Sequence, residues 1–270
     1  MDTAQGALLG VVQGLTEFLP VSSSGHLILV PWLLGWPAHS LTFDVALHMG
    51  TLAALILFFW RDWLQLLAAW LPGRAGSESS ALDRRLGIGI VVGSLPAAVV
   101  GALFDDVIES SVRSPLLVAA VMLAFSFIIL AADRLGRMTR GVEAITIPRA
   151  LAIGLAQALA LLPGVSRSGS TISAGLALGL TREAATRYAF LLATPITAGA
   201  GLLKLKDLLE TGVAPDEQTV FLVGIALSFA VGLAAIGFLL RYVRRASLLV
   251  FVIYRIALAL LVVGLAALRA

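Results

Sequence analysis

Long apolar runs separated by short polar stretches dominate the chain. Six of them, at 42–60, 86–103, 115–132, 188–203, 220–240 and 248–268, approach the length needed to cross a bilayer, for which a helix uses ~20 apolar residues. Pro96 and Pro195 fall inside two of these runs and are expected to kink them. Four further apolar pieces, near 4–19, 26–35, 150–162 and 171–180, are too short to span. They come in two pairs, each broken by a Pro/Gly/Ser cluster. The pattern predicts two re-entrant helical hairpins, whose irregular backbone is tolerated at membrane depth only if buried in protein or lining a wet cavity.

The two breaks are copies of one another. At an offset of 144, Gly10/Gly154, Gln13/Gln157, Leu15/Leu159, Val21/Val165, Ser22/Ser166, Ser24/Ser168 and Gly25/Gly169 are identical. They differ in their reactive cargo: the first carries Glu17 and His26, the second Arg167 and Thr171. A shared scaffold with complementary groups implies one composite site, and paired interrupted segments in two halves point to a site near the bilayer midplane.

Composition agrees with a membrane protein. Hydrophobic residues make up 59% and charged residues 13% of the chain, with mean hydropathy +0.99; soluble domains carry about 25% charged residues. The basic pI of 9.8 is explained by loop arginines that set orientation, so no nucleic-acid partner is expected. No cysteine is present, which excludes disulfides and thiolate metal sites. No basic stretch precedes an early apolar run, so no removable signal peptide is expected.

Charge also assigns sides. Loops 61–85, 133–149, 181–187 and 241–247 hold 4, 4, 2 and 3 arginines, 13 of the 19 Lys and Arg. Arg113, Lys204, Lys206 and Arg269 lie on the other side, and Arg167 and Arg255 sit in apolar surroundings. The arginine-rich side is expected to be cytoplasmic. Each repeat is then one hairpin plus three spans, and an odd number of crossings inverts the second copy. The expected fold is an all-α, polytopic membrane protein with six full spans and two re-entrant hairpins. It forms a single domain over 1–270, with inverted repeats of approximately 1–140 and 141–270.

Candidate chemistry gathers at the breaks. Gln13 and Glu17 are four apart and share a helix face; a carboxylate at membrane depth is costly and points to function. In Pro20-Val-Ser-Ser-Ser-Gly-His26, Ser22 and Ser24 suit helix capping. Ser23, with Glu17 and His26 nearby, suits a nucleophile beside a general base. In Pro163-Gly-Val-Ser-Arg-Ser-Gly-Ser-Thr171, loop amides at a helix start form an anion nest. The Arg167 guanidinium adds a fork matched to phosphate, and an ion pair with Glu17 is compatible with that role. Asp44 and His48 open the 42–60 span, suited to lining the cavity or to capping. Arg255, mid-span, is expected on a carbonyl or an acid rather than in chemistry. The five tryptophans suit membrane interfaces.

At these residues the chain resembles the undecaprenyl-diphosphate phosphatase family of bacitracin-resistance type. The matching stretches are Gln13 to His26, Phe43 to Leu52 and Pro163 to Ser173, and the span pattern fits along essentially the whole chain. The resemblance implies an integral membrane phosphatase of the bacterial plasma membrane, with its site open to the outer face. It removes the terminal phosphate of a C55 prenyl diphosphate and so recycles the lipid carrier for peptidoglycan. The implied cofactor is Mg²⁺ or Ca²⁺, held by Glu17 with Gln13 as an auxiliary oxygen ligand; a single acid makes a tight two-metal site unexpected. Arg167, Ser166, Ser168 and Thr171 are implied in holding the diphosphate, with Ser22, Ser24, Gly25 and Gly164 around it. Two routes stay open. Ser23 attacks, with His26 as its acid/base partner, or metal-activated water attacks and Ser23 only orients. A homodimer fits the family.

The rival reading is a secondary transporter or flippase of an anionic prenyl lipid, since inverted repeats with broken helices are transporter architecture. A lipid-binding subunit without catalysis is the third. Phosphate release by the pure protein separates them.

Overall fold

The computed structural model describes residues 1–71, 78–111, 113–211, 214 and 217–269, with backbone alone for 105–111 and 203–211. The Lys204 and Lys206 side chains, and positions 72–77 of the expected 61–85 loop, lie outside the described residues. The described chain is helical: α1 Thr3–Phe18, α2 Ser23–Leu34, α3 Leu41–Phe58, α4 Trp60–Ala68, α5 Glu78–Ser111, α6 Pro115–Leu135, α7 Ile147–Leu159, α8 Arg167–Ala177, α9 Arg182–Thr211, α10 Gln218–Tyr242 and α11 Leu249–Arg269. A 3₁₀ turn, Val142–Ala144, precedes α7.

Among the described residues, five helices are long and apolar enough to cross a membrane: α3, α5 over Glu78–Phe104, α6, α10 and α11. The sixth expected span, 188–203, lies inside the 30-residue α9, which turns Thr194 and Thr197 into the protein interior. Large apolar side chains stay exposed on the outer faces, among them Leu57, Val91, Leu95, Phe127, Ile253 and Leu260. A helix that is apolar both toward the core and away from it belongs in lipid. Pro96 and Pro195 sit within continuous helix, and the departure from helical backbone in α5 falls at Phe104 (φ −125°, ψ 16°) rather than at Pro96.

The two interrupted segments form α1/α2 and α7/α8. Each second helix begins earlier than the apolar pattern suggests, because a serine caps it. Ser22 and Ser166 are the N-caps, and their hydroxyls accept the amide hydrogens of Gly25 and Gly169. Ser23 and Arg167 are therefore the first residues of α2 and α8.

The first helix of each pair packs against a distant long helix: α1 lies along α10, and α7 lies along α5. Glycine makes both contacts possible. A methyl group on Gly10 would collide with the Gly224 backbone, and one on Gly154 with the Gly93 carbonyl. Backbones touch at these points, as small residues allow between membrane helices. The α3 helix meets α9 and α10, and α6 meets α11. At one end buried Asp133 joins three elements, accepting from Arg182 Nε at 2.6 Å and from the Leu248 amide at 3.1 Å.

A helix appears where a loop was expected. α4 runs from Trp60 into the expected 61–85 loop and exposes Trp60, Leu64 and Leu67, while Leu66 is buried. Its apolar exposed face and neighbouring charges suit a helix lying in the membrane interface.

Candidate active site

The breaks of the two hairpins meet and bond to each other. The Gly164 amide donates to Ser22 Oγ at 3.1 Å, and Ser168 Oγ donates to the Leu19 carbonyl at 3.0 Å. Ser22 (φ 77°, ψ 94°) and Ser166 (φ 79°, ψ 116°) adopt the same left-handed backbone, and Gly164 has φ 101°. Positive φ is rare for residues with a Cβ, and strain of ~1–3 kcal/mol per residue persists where the surroundings enforce it, often at functional sites. The same unusual cap in both copies presents Ser23 and Arg167 from equivalent positions.

Beneath the junction lies Arg255, fully buried. Its guanidinium donates to the carbonyls of Gly164 (2.8 Å), Met122 (3.1 Å) and Pro20 (3.5 Å) and to Ser126 Oγ (3.0 Å). The expectation that it serves carbonyls is met, and it ties both breaks to α6.

Above the junction is a cavity of about 250 Å³, lined among others by Glu17, Ser23, His48, Gln157, Arg167 and Thr197. Glu17 is its hub. Ser23 Oγ donates to Glu17 Oε2 at 2.5 Å, and Gln13 Nε2 donates to the same oxygen at 3.1 Å. Arg167 Nη2 pairs with Glu17 Oε1, and Arg167 Nη1 donates to Thr197 Oγ1 at 2.7 Å. His48 Nε2 stands 3.5 Å from Glu17 Oε2, while its Nδ1 donates to the Asp44 carbonyl at 2.7 Å. The ion pair expected between Glu17 and Arg167 is therefore present, and it crosses from one repeat to the other.

The expected residues divide into two groups. Glu17, Ser23, Ser24, Ser166 and Arg167 face the cavity, and Gln13 backs Glu17. The remaining hydroxyls satisfy backbone. Ser22 holds the Gly25 and Gly164 amides, Ser168 the Leu19 carbonyl, and Thr171 Oγ1 donates to the Arg167 carbonyl at 2.7 Å. Part of the expected amide nest is also occupied, with the Gly169 amide on Ser166 Oγ and the Ser170 amide on the Ser166 carbonyl. Buried backbone groups left unpaired are costly, so side chains nearest the break are spent on them.

His26 is not brought to Ser23. Its Nδ1 donates to the Ser22 carbonyl at 2.7 Å, and its Nε2 accepts from Tyr254 at 2.7 Å, with the two rings stacked. Both nitrogens are engaged behind the break, toward α11. The imidazole that does reach Glu17 is His48. Its signal was a histidine one helical turn after Asp44 in an apolar span, which position alone divides equally between capping and lining. Asp44 does neither: it pairs with His39 (2.5 Å) and Arg113 (2.8 Å) near the start of α3. Sequence reasoning named Gln157 as the repeat partner of Gln13 without placing it in the site, and did not name Thr197; both line the cavity.

A carboxylate, a hydroxyl bonded to it and a guanidinium within one small cavity form a unit suited to phosphoryl chemistry. Known proteins share its sequence frame. A protein named undecaprenyl-diphosphatase from Geotalea daltonii is 50% identical over 262 residues, covering 97% of both chains. Proteins of the same name from Thermomicrobium roseum and Pelotomaculum thermopropionicum are each 45% identical, covering 96% and 100% of this chain and 96% and 98% of their own. The family model described as bacitracin resistance protein BacA matches residues 6–261. With every residue that lines the cavity inside that match, the chain belongs to the bacitracin resistance protein BacA family.

Proposed function

We propose that this protein is an undecaprenyl-diphosphatase, releasing the terminal phosphate of a C55 prenyl diphosphate and returning the monophosphate carrier to envelope synthesis. The observation that carries the reading is Ser23 Oγ donating to Glu17 Oε2 at 2.5 Å beside Arg167. That arrangement supports Ser23 as nucleophile and Glu17 as the base that takes its proton. The Ser23 oxygen forms a bond to the terminal phosphorus, and the bridging P–O bond breaks toward the prenyl phosphate. Water then cleaves the phosphoserine. Arg167, held by Thr197, steadies the phosphoryl oxygens, since positioning and charge neutralisation supply most of phosphoryl-transfer catalysis.

A hard cation fits the donors. Gln13 Oε1 is buried beside Glu17 without a hydrogen-bond partner, which suits an oxygen-seeking Mg²⁺ or Ca²⁺. Among the described residues no group of three or more His, Asp or Glu converges, so Glu17, Gln13 and the substrate phosphates would share the ion. Its chemistry would be neutralisation of diphosphate charge. On this reading Glu17 gives up part of its hold on Arg167 when substrate arrives, and the guanidinium turns to the phosphate.

The topology we propose is the inverted repeat, with both hairpins re-entering from opposite sides of a bacterial plasma membrane and the cavity opening outward. The mirrored contacts α1–α10 and α7–α5 support it, as does the arginine bias of the loops. The same mirrored packing would suit a lipid translocator, and one assay separates the two. Purified protein in detergent, given C55 diphosphate, releases inorganic phosphate, and EDTA abolishes release until Mg²⁺ or Ca²⁺ is restored. Bound substrate without phosphate release sinks the phosphatase reading; release that ignores EDTA sinks the cation.

A further inference from the structure

Gln157 is 2% exposed and lines the cavity, yet neither its Oε1 nor its Nε2 has a hydrogen-bond partner. Buried carboxamides are almost always bonded, so an orphan on a cavity wall needs an explanation. Its repeat counterpart Gln13 spends Nε2 on Glu17. In the second hairpin the position equivalent to Glu17 is Leu161, which lines the same cavity. The second copy has kept the amide and lost the acid that would bond it.

Packing does not require a polar group there. The α5 and α7 backbones touch at Gly93 and Gly154. Gln157 and Ala97 both line the cavity. The remaining polar wall is Glu17, Ser23, Ser24, His48, Ser166, Arg167 and Thr197. Glu17 is already taken by Arg167, Ser23 and Gln13. A carboxamide supplies two N–H donors, and a diphosphate brings more oxygens than Arg167 can serve.

We propose that Gln157 is a substrate-binding residue whose side-chain N–H groups hold a non-bridging phosphate oxygen in the cavity. The proposal rests on the diphosphatase reading for its ligand. It makes the composite site three-sided: the acid and nucleophile come from the first hairpin, the guanidinium from the start of α8, and a neutral donor from the end of α7.

The test compares the full-length wild type with Gln157→Leu and Gln157→Glu in detergent. KM and kcat are measured on C55 diphosphate, and thermal stabilisation is titrated with inorganic diphosphate in Mg²⁺. Gln157→Leu is expected to raise KM and the diphosphate midpoint about ten-fold, the size of one hydrogen bond to a charged group. The kcat should fall less than KM rises, and the unliganded Tm should hold or increase as the orphan amide disappears. Gln157→Glu should bind worse than Gln157→Leu, because a carboxylate repels phosphate. Wild-type KM and midpoint in Gln157→Leu overturn the proposal. Tighter Mg²⁺-dependent diphosphate binding by Gln157→Glu also overturns it, and assigns the amide oxygen to a cation instead. If wild type releases no phosphate but is stabilised by diphosphate in a Gln157-dependent way, the phosphatase reading fails and the anion site stands.

Discussion

Ser23 Oγ lies 2.5 Å from Glu17 Oε2, six residues back across the break of the first hairpin. The contact joins the end of α1 to the start of α2 and exists because Ser22 turns the chain through a left-handed cap. The same geometry in the second hairpin puts Arg167 on Glu17 Oε1. One carboxylate thus receives the first residue of both broken helices.

Ser23→Ala removes the hydroxyl and leaves the cap intact, since Ser22 holds the Gly25 and Gly164 amides. We expect turnover to fall by ~10³-fold or more, the scale of losing a nucleophile with its base, with lipid diphosphate still bound. Ser24→Ala should lose less than ~10-fold, because the side-chain hydrogen bond Ser24 makes among the described residues is a long one, to Ser22 Oγ at 3.4 Å, and such weak contacts contribute little. Rapid quenching with terminally ³²P-labelled substrate should trap label on Ser23. No trapped label, together with a substantial Ser23→Ala rate, would leave water as the attacking group.

Arg167 bonds Glu17 and Thr197 through different nitrogens. Lysine keeps the charge and loses the planar fork. Arg167→Lys is expected to express normally and to lose ~10²-fold in kcat/KM, the cost of one misplaced charge-stabilising donor. A lysine variant at wild-type rate would refute bidentate use of the guanidinium.

The architecture was legible because two signals are coarse and long. Apolar runs located α3, α5, α6, α10 and α11, and the duplicated motif located both breaks and the Glu17–Arg167 encounter. What escaped was orientation within a few residues. Ser22 and Ser24 both read as caps, and nothing in Pro20 to His26 chooses Ser22 or reveals its positive φ, which starts α2 at Ser23 and leaves His26 on Tyr254. Nor does a single motif identify residues contributed by other helices; His48 and Thr197 reach the cavity only through the packing of α3 and α9 around α1 and α8. The amphipathic α4 was hidden by its Arg61 and Asp62, which read as loop charges.

Arg255 carries a buried charge with carbonyls and a hydroxyl as its hydrogen-bond partners. Arg255→Met fills similar volume and orphans the carbonyls of Pro20 and Gly164, at ~1–3 kcal/mol for each group left unsatisfied, while the Met122 carbonyl keeps the Ser126 hydroxyl. The expected result is a Tm lower by roughly 5 °C or more, with residual activity falling in step with the folded fraction. Wild-type stability in the Arg255→Met variant, as read by scanning calorimetry in detergent, would mean the hairpin junction holds without this clamp.

The two histidines give the sharpest division between chemistry and scaffold. His48 Nδ1 is fixed on the Asp44 carbonyl, which leaves Nε2 facing Glu17 and the cavity. His26 has both nitrogens committed, to the Ser22 carbonyl and to Tyr254. If His48 assists proton movement around Glu17, His48→Gln should lower kcat by ~10²-fold, the lower range for an acid–base group, while Tm and KM stay near wild type. His26→Gln should instead lower Tm, because the amide cannot reproduce both bonds and the stacking on Tyr254, and activity should recover at reduced temperature. Tyr254→Phe isolates one of those bonds and should follow His26→Gln in Tm, with a smaller loss of ~1 kcal/mol. The reverse pattern, a stable but inactive His26→Gln and an active His48→Gln, would restore His26 as the acid–base partner of Ser23. It would require the His26 ring to leave Tyr254 when substrate binds.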